Sequence, residues 1–450
     1  MGASAEGKAH AYSYQYSYAP NPYWSSLYAP GSEIRAYLKD VADRFGASRF
    51  IKTSHDVERC VWNDESKTCA DLRNKRVGVI GNASSAIQIV PQVQKLEGTK
   101  IWCFTRSPTW ISMSYGDAAM AKLGLNPEDT TFSRKHQERL AQHPDEYFKV
   151  RKVFETDTNM VHPITIRGSE MQLKSQAIFT DEMQRRLEKR PDLFAAMIPV
   201  SRRGYLEALQ KENVKVLTQS ISRVTEKGIT LDSGDAVELD TIICATGFRV
   251  SAPPTFEVVG RGGQTLGQRW SPRIESYLSM AVDGFPNFFM VGGPNSGVGT
   301  GSLTIVLQQT ADYAIKAMHK AQKEDYASIE VKAERVADFS AFVDEYFKRT
   351  VYVDDCSSWY RGGKKGGHIF TLWPGSTLHC IEALRAPRWE DYHLEPIEPA
   401  GNSLRWLGNG WSQTQLDGDP AWYIEPQAVD PPIEGKPEEK EQFRMRPFSH

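Results

Sequence analysis

The stretch KRVGVIGNASSAIQIVPQVQKL, residues 75–96, runs a short apolar strand into a tight turn and an amphipathic helix with no linker between them. KIWCFTR, from Lys100, supplies the next apolar strand. Strand, turn, helix and strand in this order form a right-handed βαβ unit of the dinucleotide-binding kind. The turn Gly81-Asn82-Ala83-Ser84-Ser85-Ala86 stands where a GxGxxG or GxGxxA fingerprint belongs. In that fingerprint the first glycine makes the turn, the second lets the backbone touch a pyrophosphate, and the third lets helix and strand pack closely. Gly81 keeps the first role and Ala86 is an accepted substitute in the third. Ala83 puts a methyl group where the pyrophosphate should lie, a cost of about 1–3 kcal/mol that weakens binding without abolishing it. Arg106, just after the second strand, stands where an arginine pairs with an NADP 2′-phosphate.

Working outward, the opening YSYQYSYAPNPYWSSLYAPG from Tyr12 suits a loop. A helix follows, preceded by Ser32 and ended by Gly46, with Ile34, Leu38, Val41 and Phe45 on one face. RFIKTSHDV and ERCVW read as short strands, and residues from about 114 to 190 as a helical insertion. VKVLTQ, GITLD, TIICATGF and FPNFFMVGG read as further strands, and GSLTIVLQQTADYAIKAM as a long helix. From about Ile424 the chain is proline-rich and charged, suited to a surface wrap or disorder.

Composition narrows the function classes. A chain of 450 residues with 54 Lys and Arg against 56 Asp and Glu carries no charge excess to draw it to nucleic acid or an anionic membrane. Its six cysteines are scattered without zinc spacing and read as reduced thiols. With no secretory leader or long apolar run, a cytoplasmic protein with a small-molecule partner is expected. No GxSxG elbow, HExxH or Walker loop is present. His379 in WPGSTLH and His162 in VHPITIRG are candidate acid–base groups.

Six separated strings carry a resemblance: VGVIGNASSAIQIVPQVQ, FTRSPTWI, SRRGYLEAL, DTIICATGF, FPNFFMVGGPNSGVGTGS and WPGSTLHCIEALRAPRWEDY. In that order they resemble the fungal flavin-containing and Baeyer–Villiger monooxygenases, over most of the chain from Tyr14 to Tyr392. The resemblance implies that Thr246 and Gly247 match the ATG strand end and that Asn295 lies in the glycine-rich turn near the flavin. It also implies that Arg203 matches the active-site arginine facing flavin and NADP. The expected fold is α/β: a Rossmann-like NADP-type domain with a helical insertion, plus a reduced remnant of a FAD-type domain. The expected boundaries are a FAD-type remnant over 1–74, the NADP-type domain over 75–240, the rest of the FAD-type domain and substrate pocket over 241–423, and a tail over 424–450.

Departures from the family shape the functional expectation. Family members open on a strand and a first GxGxxG that seats FAD, and this chain reads as starting beyond that point. NDESKTCADLRN alone separates Trp62 from Lys75, where the family places a long stretch with its FxGxxxHxxxW fingerprint. These losses, with Ala83, lead to the expectation that no cofactor is bound and that the FAD and NADPH sites are degenerate, their residues vestigial. Oxygen insertion needs a reduced flavin. The leading expectation is therefore a cofactor-independent cyclase or isomerase, such as a Diels–Alder-type pericyclic catalyst, acting on an apolar terpenoid or polyketide intermediate, with Arg203 and His379 as catalytic groups. The alternative is a FAD- and NADPH-dependent Baeyer–Villiger monooxygenase, and a third reading is a non-catalytic partner of an active paralogue. Apolar surface left by a reduced flavin domain favours a homodimer.

Overall fold

The structure, a computed structural model, describes residues 11–51, 72–82, 84–105, 116–126, 129, 131–188, 190–196, 205–247, 254, 256–354, 359–362, 366–398, 401–402 and 404–424. It opens on a buried loop and helix α1 (Gly31–Arg44). Next come β1 (Arg76–Ile80), α2 (Ser84–Val93) and β2 (Lys100–Phe104). The helical insertion follows as α3 (Asp117–Lys122), α4 (Arg134–Gln142), α5 (Pro144–Met160), α6 (Glu170–Arg186) and α7 (Pro191–Ala196). The chain returns through α8 (Tyr205–Leu209), β3 (Val214–Leu217), β4 (Ile221–Thr225), β5 (Gly228–Leu231), β6 (Ala236–Glu238) and β7 (Thr241–Cys244).

Strands β1, β2, β3 and β7 form one parallel sheet in the order β3-β2-β1-β7, with Val79 opposite Cys103 on one side and Ile243 on the other. A central parallel strand is covered on both faces, so its side chains read as a nearly continuous apolar run. RVGVI fits: Val77 and Val79, on one face, are completely buried, and at Gly78 an added Cβ would lie 2.6 Å from the Leu239 side chain. Ala86, Ile87 and Val90 of α2 pack with Leu206 and Leu209 of α8 against the sheet. The antiparallel sheet β4-β5-β6 enters between β3 and β7, and its Ile229 and Leu231 bury Phe104. Arg76, at the start of β1, is gripped by Asp240 and Glu238. β7 therefore belongs to the sheet of β1, on the far side of the boundary drawn at residue 240.

The C-terminal part comprises α9 (Leu266–Trp270), α10 (Leu303–Lys323), β8 (Tyr326–Val331), α11 (Ala333–Phe347), α12 (Thr377–Leu384), β9 (Tyr392–Pro396) and α13 (Gln413–Leu416). β8 and β9 pair antiparallel and share a core with Val306, Tyr313 and Ala317 of α10. The buried Asp391 carboxylate, just before β9, accepts from the Tyr277 hydroxyl and from Arg388.

Several expectations change. FPNFFMVGG, over residues 285–293, is not a strand: Asn287 and Gly292 take positive φ, which breaks an extended run, and its backbone bonds are isolated ones, Asn287 N to Ile329 O and Met290 N to Met280 O. Of RFIKTSHDV, Arg49 and Phe50 lie in a 3₁₀ turn; its end and ERCVW lie outside the described residues, as does the tail beyond Ile424. On α1 the buried positions are Tyr37 and Val41, with Leu38 and Phe45 42% and 61% exposed. The reason is Tyr37, whose hydroxyl donates to Ala19 O and accepts from Tyr16 N, turning that face inward. The opening is a loop, and a buried one: Tyr12 stacks on Phe154 of α5 at 5.1 Å, beside fully buried Trp24.

Candidate functional site

Two loci hold the sequence-predicted residues. The first is the C-terminal edge of the parallel sheet, where ligands of open α/β sheets bind. Gly81 leaves β1 at φ 113°, and its N–H donates to Phe104 O at 3.0 Å. A Cβ here would overlap the backbone carbonyl of Ala245, the residue after β7. Backbone cannot swing aside as a side chain can, so the position requires glycine. Ala86 is completely buried in the sheet–helix core, so the third fingerprint position serves close packing. Thr246 and Gly247 follow β7 as exposed residues, and Gly247, at φ 90°, has no atom of the described residues within 4 Å of where its Cβ would be. Ala83 and Arg106 lie outside the described residues. Thr105, which sequence reasoning passed over, follows β2 as a buried residue whose hydroxyl has no partner among the described residues.

The edge thus has a glycine turn that runs into the first turn of α2, with no described atom near the Cβ position of Gly247. These features fit a dinucleotide pyrophosphate at a helix N-terminus. Among the described residues this is the single parallel strand–glycine turn–helix unit.

The second locus joins the Asn295 turn to the WPGSTLH segment. Asn295 is buried at φ 65°, a conformation asparagine tolerates. Its side-chain amide donates to Ile369 O and Leu372 O, both at 3.0 Å, and its backbone N–H to Phe370 O. Trp373 N donates back to Gly297 O. The Trp373 indole N–H then donates to His379 Nδ1 at 3.0 Å. That bond fixes the neutral tautomer of His379 with its proton on Nε2. Gly375 is glycine because a Cβ would run into the His379 ring. His162, 217 positions earlier, is brought to the same place: its Nε2 pairs with the Tyr346 hydroxyl at 3.2 Å, and burial pushes its pKa below the ordinary value. The sequence marked both histidines but not their partners Trp373 and Tyr346; Trp373 in WPGS, six residues before His379, was the available signal. Arg203 lies outside the described residues. Among the described residues no three His, Cys, Asp or Glu side chains gather to hold a metal ion, and no helix is long and apolar enough to cross a membrane.

A Rossmann-type parallel sheet with a glycine turn at this edge is the architecture of the dinucleotide-binding folds. No family model matches the chain. A FAD-binding monooxygenase of Aspergillus terreus is 31% identical over 90% of this chain and 83% of its own. A Baeyer–Villiger monooxygenase of Pseudomonas aeruginosa is 26% identical over 87% and 83%. Among solved structures, cyclohexanone monooxygenase from Rhodococcus sp. Phi1 bound to NADP+ superposes with a TM-score of 0.68 at 17% identity, over 87% of this chain and 90% of that one. Steroid monooxygenase bound to NADP gives 0.64 at 21% identity, over 86% and 90%. The chain belongs to the FAD-binding monooxygenase family, and it is an enzyme of the monooxygenase kind.

This overturns the expectation of a cofactor-free protein with degenerate FAD and NADPH sites. That expectation weighed missing glycines, whereas the family relation covers nine-tenths of the chain. In physical terms one added methyl at Ala83 is a cost of a few kcal/mol at most, and the glycine that the turn cannot do without is in place.

Proposed function

We propose that the protein is a FAD- and NADPH-dependent monooxygenase of the Baeyer–Villiger type acting on an apolar carbonyl compound of the polyketide or terpenoid kind. The observation that carries this reading is Gly81, in place at the end of β1 where no other residue fits, in a chain of this family. When bound, the two cofactors supply the electrons and the route to activated oxygen that side chains lack. The protein's own contribution is to bind and orient. Gly81 and the first turn of α2 would hold the NADP pyrophosphate, and Ala86 lets the helix close on the sheet. Arg203, in the role the family resemblance implies, offers fixed donors to a substrate carbonyl. His379, with its proton on Nε2, offers a further donor. The ring-closing, cofactor-free reading falls with the cofactor expectation.

The test is to purify the protein and record its visible spectrum, then follow NADPH oxidation and oxygen uptake with an apolar ketone. About one bound flavin per chain and substrate-dependent oxygen uptake are expected. A colourless protein that stays colourless with excess FAD and consumes no NADPH would falsify the proposal.

A further inference from the structure

The segment from Leu404 to Ile424, LRWLGNGWSQTQLDGDPAWYI, is the most apolar exposed stretch described. Trp406, Leu407, Trp411, Leu416, Trp422 and Tyr423 are all exposed, from 39% at Trp406 to 70% at Leu416. It contains three of the chain's 11 tryptophans and no lysine or glutamate. Enrichment in tryptophan and tyrosine with depletion of lysine and glutamate is the compositional signature of a protein interface. The arm is tied down at its base, where Arg405 pairs with Asp325 at 2.8 Å and Glu398 at 2.7 Å. At roughly 150–250 Å² per whole aromatic side chain, the exposed parts of the four aromatics present on the order of 500 Å², and exposed Leu407, Leu416 and Ile424 carry the patch toward the roughly 800 Å² each partner contributes to a standard interface.

The same chain carries a matching surface. Tyr18 and Phe45 meet edge-on at 5.3 Å, both exposed. Ser17, next to Tyr18, donates to the Gln308 side chain of α10 at 3.0 Å, and Ile315 and Met318, exposed two and three turns further along that helix, continue the strip. Lys316, exposed next to Ile315 and donating to Arg385 O at 2.7 Å, and Arg49, four residues beyond Phe45, are the basic groups nearby. The arm carries Asp417 and Asp419, which pair with no base among the described residues, while its one arginine is already paired. This charge pattern suits a protein surface with basic margins and opposes an anionic membrane, which attracts lysine and arginine.

We infer that the arm of one copy docks on the Tyr18–Phe45–Ile315–Met318 strip of a second copy. The contact is made twice about a two-fold axis, as closed dimers require. Sedimentation velocity of the full-length protein from about 1 to 50 μM, a range covering ordinary interface affinities, is expected to show a dimer of the 50.7 kDa chain. Trp411→Ser with Trp422→Ser should weaken dimerisation by roughly a hundredfold or more, since buried tryptophans are typical hot spots. Far-UV circular dichroism and Tm should stay unchanged, because both side chains are exposed. Phe45→Lys with Met318→Lys on the strip should do the same. Mixing the two variants should restore a heterodimer through the one intact arm–strip contact. A monomer at every concentration, or a dimer indifferent to the arm variant, overturns the inference. So does a dimer broken by the arm variant and not by the strip variant, or a monomer that sediments with phosphatidylserine vesicles.

Discussion

The parallel-sheet edge and the Asn295–His379 locus both hold a turn against a helix, and they do it by opposite means. At the edge the turn is held by what is absent: Gly81 has no side chain, and the Ala245 carbonyl occupies the space one would need. At the second locus the turn is held by what is present. The Asn295 amide reaches two carbonyls of the 369–372 segment, and the Trp373 indole fixes His379. The first arrangement fixes the backbone path from β1 into α2 without using a side chain. The second consumes its donors internally and delivers one oriented imidazole. A single fold thus separates a place for binding from a place for positioning.

The contrast can be broken most directly at Gly81. Gly81→Ala should cost roughly 2–4 kcal/mol, combining positive-φ strain with overlap on the Ala245 carbonyl, and should lower NADPH affinity. Gly247→Ala keeps the strain but meets open space, so it should cost less; equal losses in the two variants' denaturation curves would show that overlap at Gly81 is not the governing term. Asn295→Ala comes next, at about 1–3 kcal/mol for carbonyls left without donors. Asn295→Gly should lose the same bonds while keeping the positive φ at no strain, and an undiminished Tm in both would remove the amide from the account of this turn.

The smallest effect concerns pH. His162 binds its proton less well folded than unfolded, because it is part-buried. The unfolded chain therefore holds more protons just below the ordinary histidine pKa of 6.5, and stability should fall as pH drops through that value. His136 and His368 shift the same way and add to the slope. His162→Gln should make the fall in Tm between pH 7.5 and 5.5 shallower, and an unchanged slope would assign it to the other histidines.

Much of this was legible in the sequence where the signal is local. The strand–Gly81–helix order and the insertion's helices follow from short-range periodicity and turn chemistry, and they appear as read. β4, β6, β8 and β9 passed unnoticed because a strand exists through its partner, and β8 finds its partner some sixty residues on. The run at 285–293 failed in the converse way, apolar enough for a strand but given none to pair with. The cofactor expectation failed because absent motifs were weighed above retained ones.

By itself the sequence determined the class of fold and the one glycine on which the dinucleotide turn depends, since both rest on residues within a few positions of each other. Only the tertiary structure decided that Ala245 makes Gly81 obligatory, that Tyr37 turns α1 inward, and that His162 and His379 share one locus. Those outcomes depend on which distant segments come into van der Waals and hydrogen-bond range. That is set by the burial of the whole chain, to which local pattern contributes only one term.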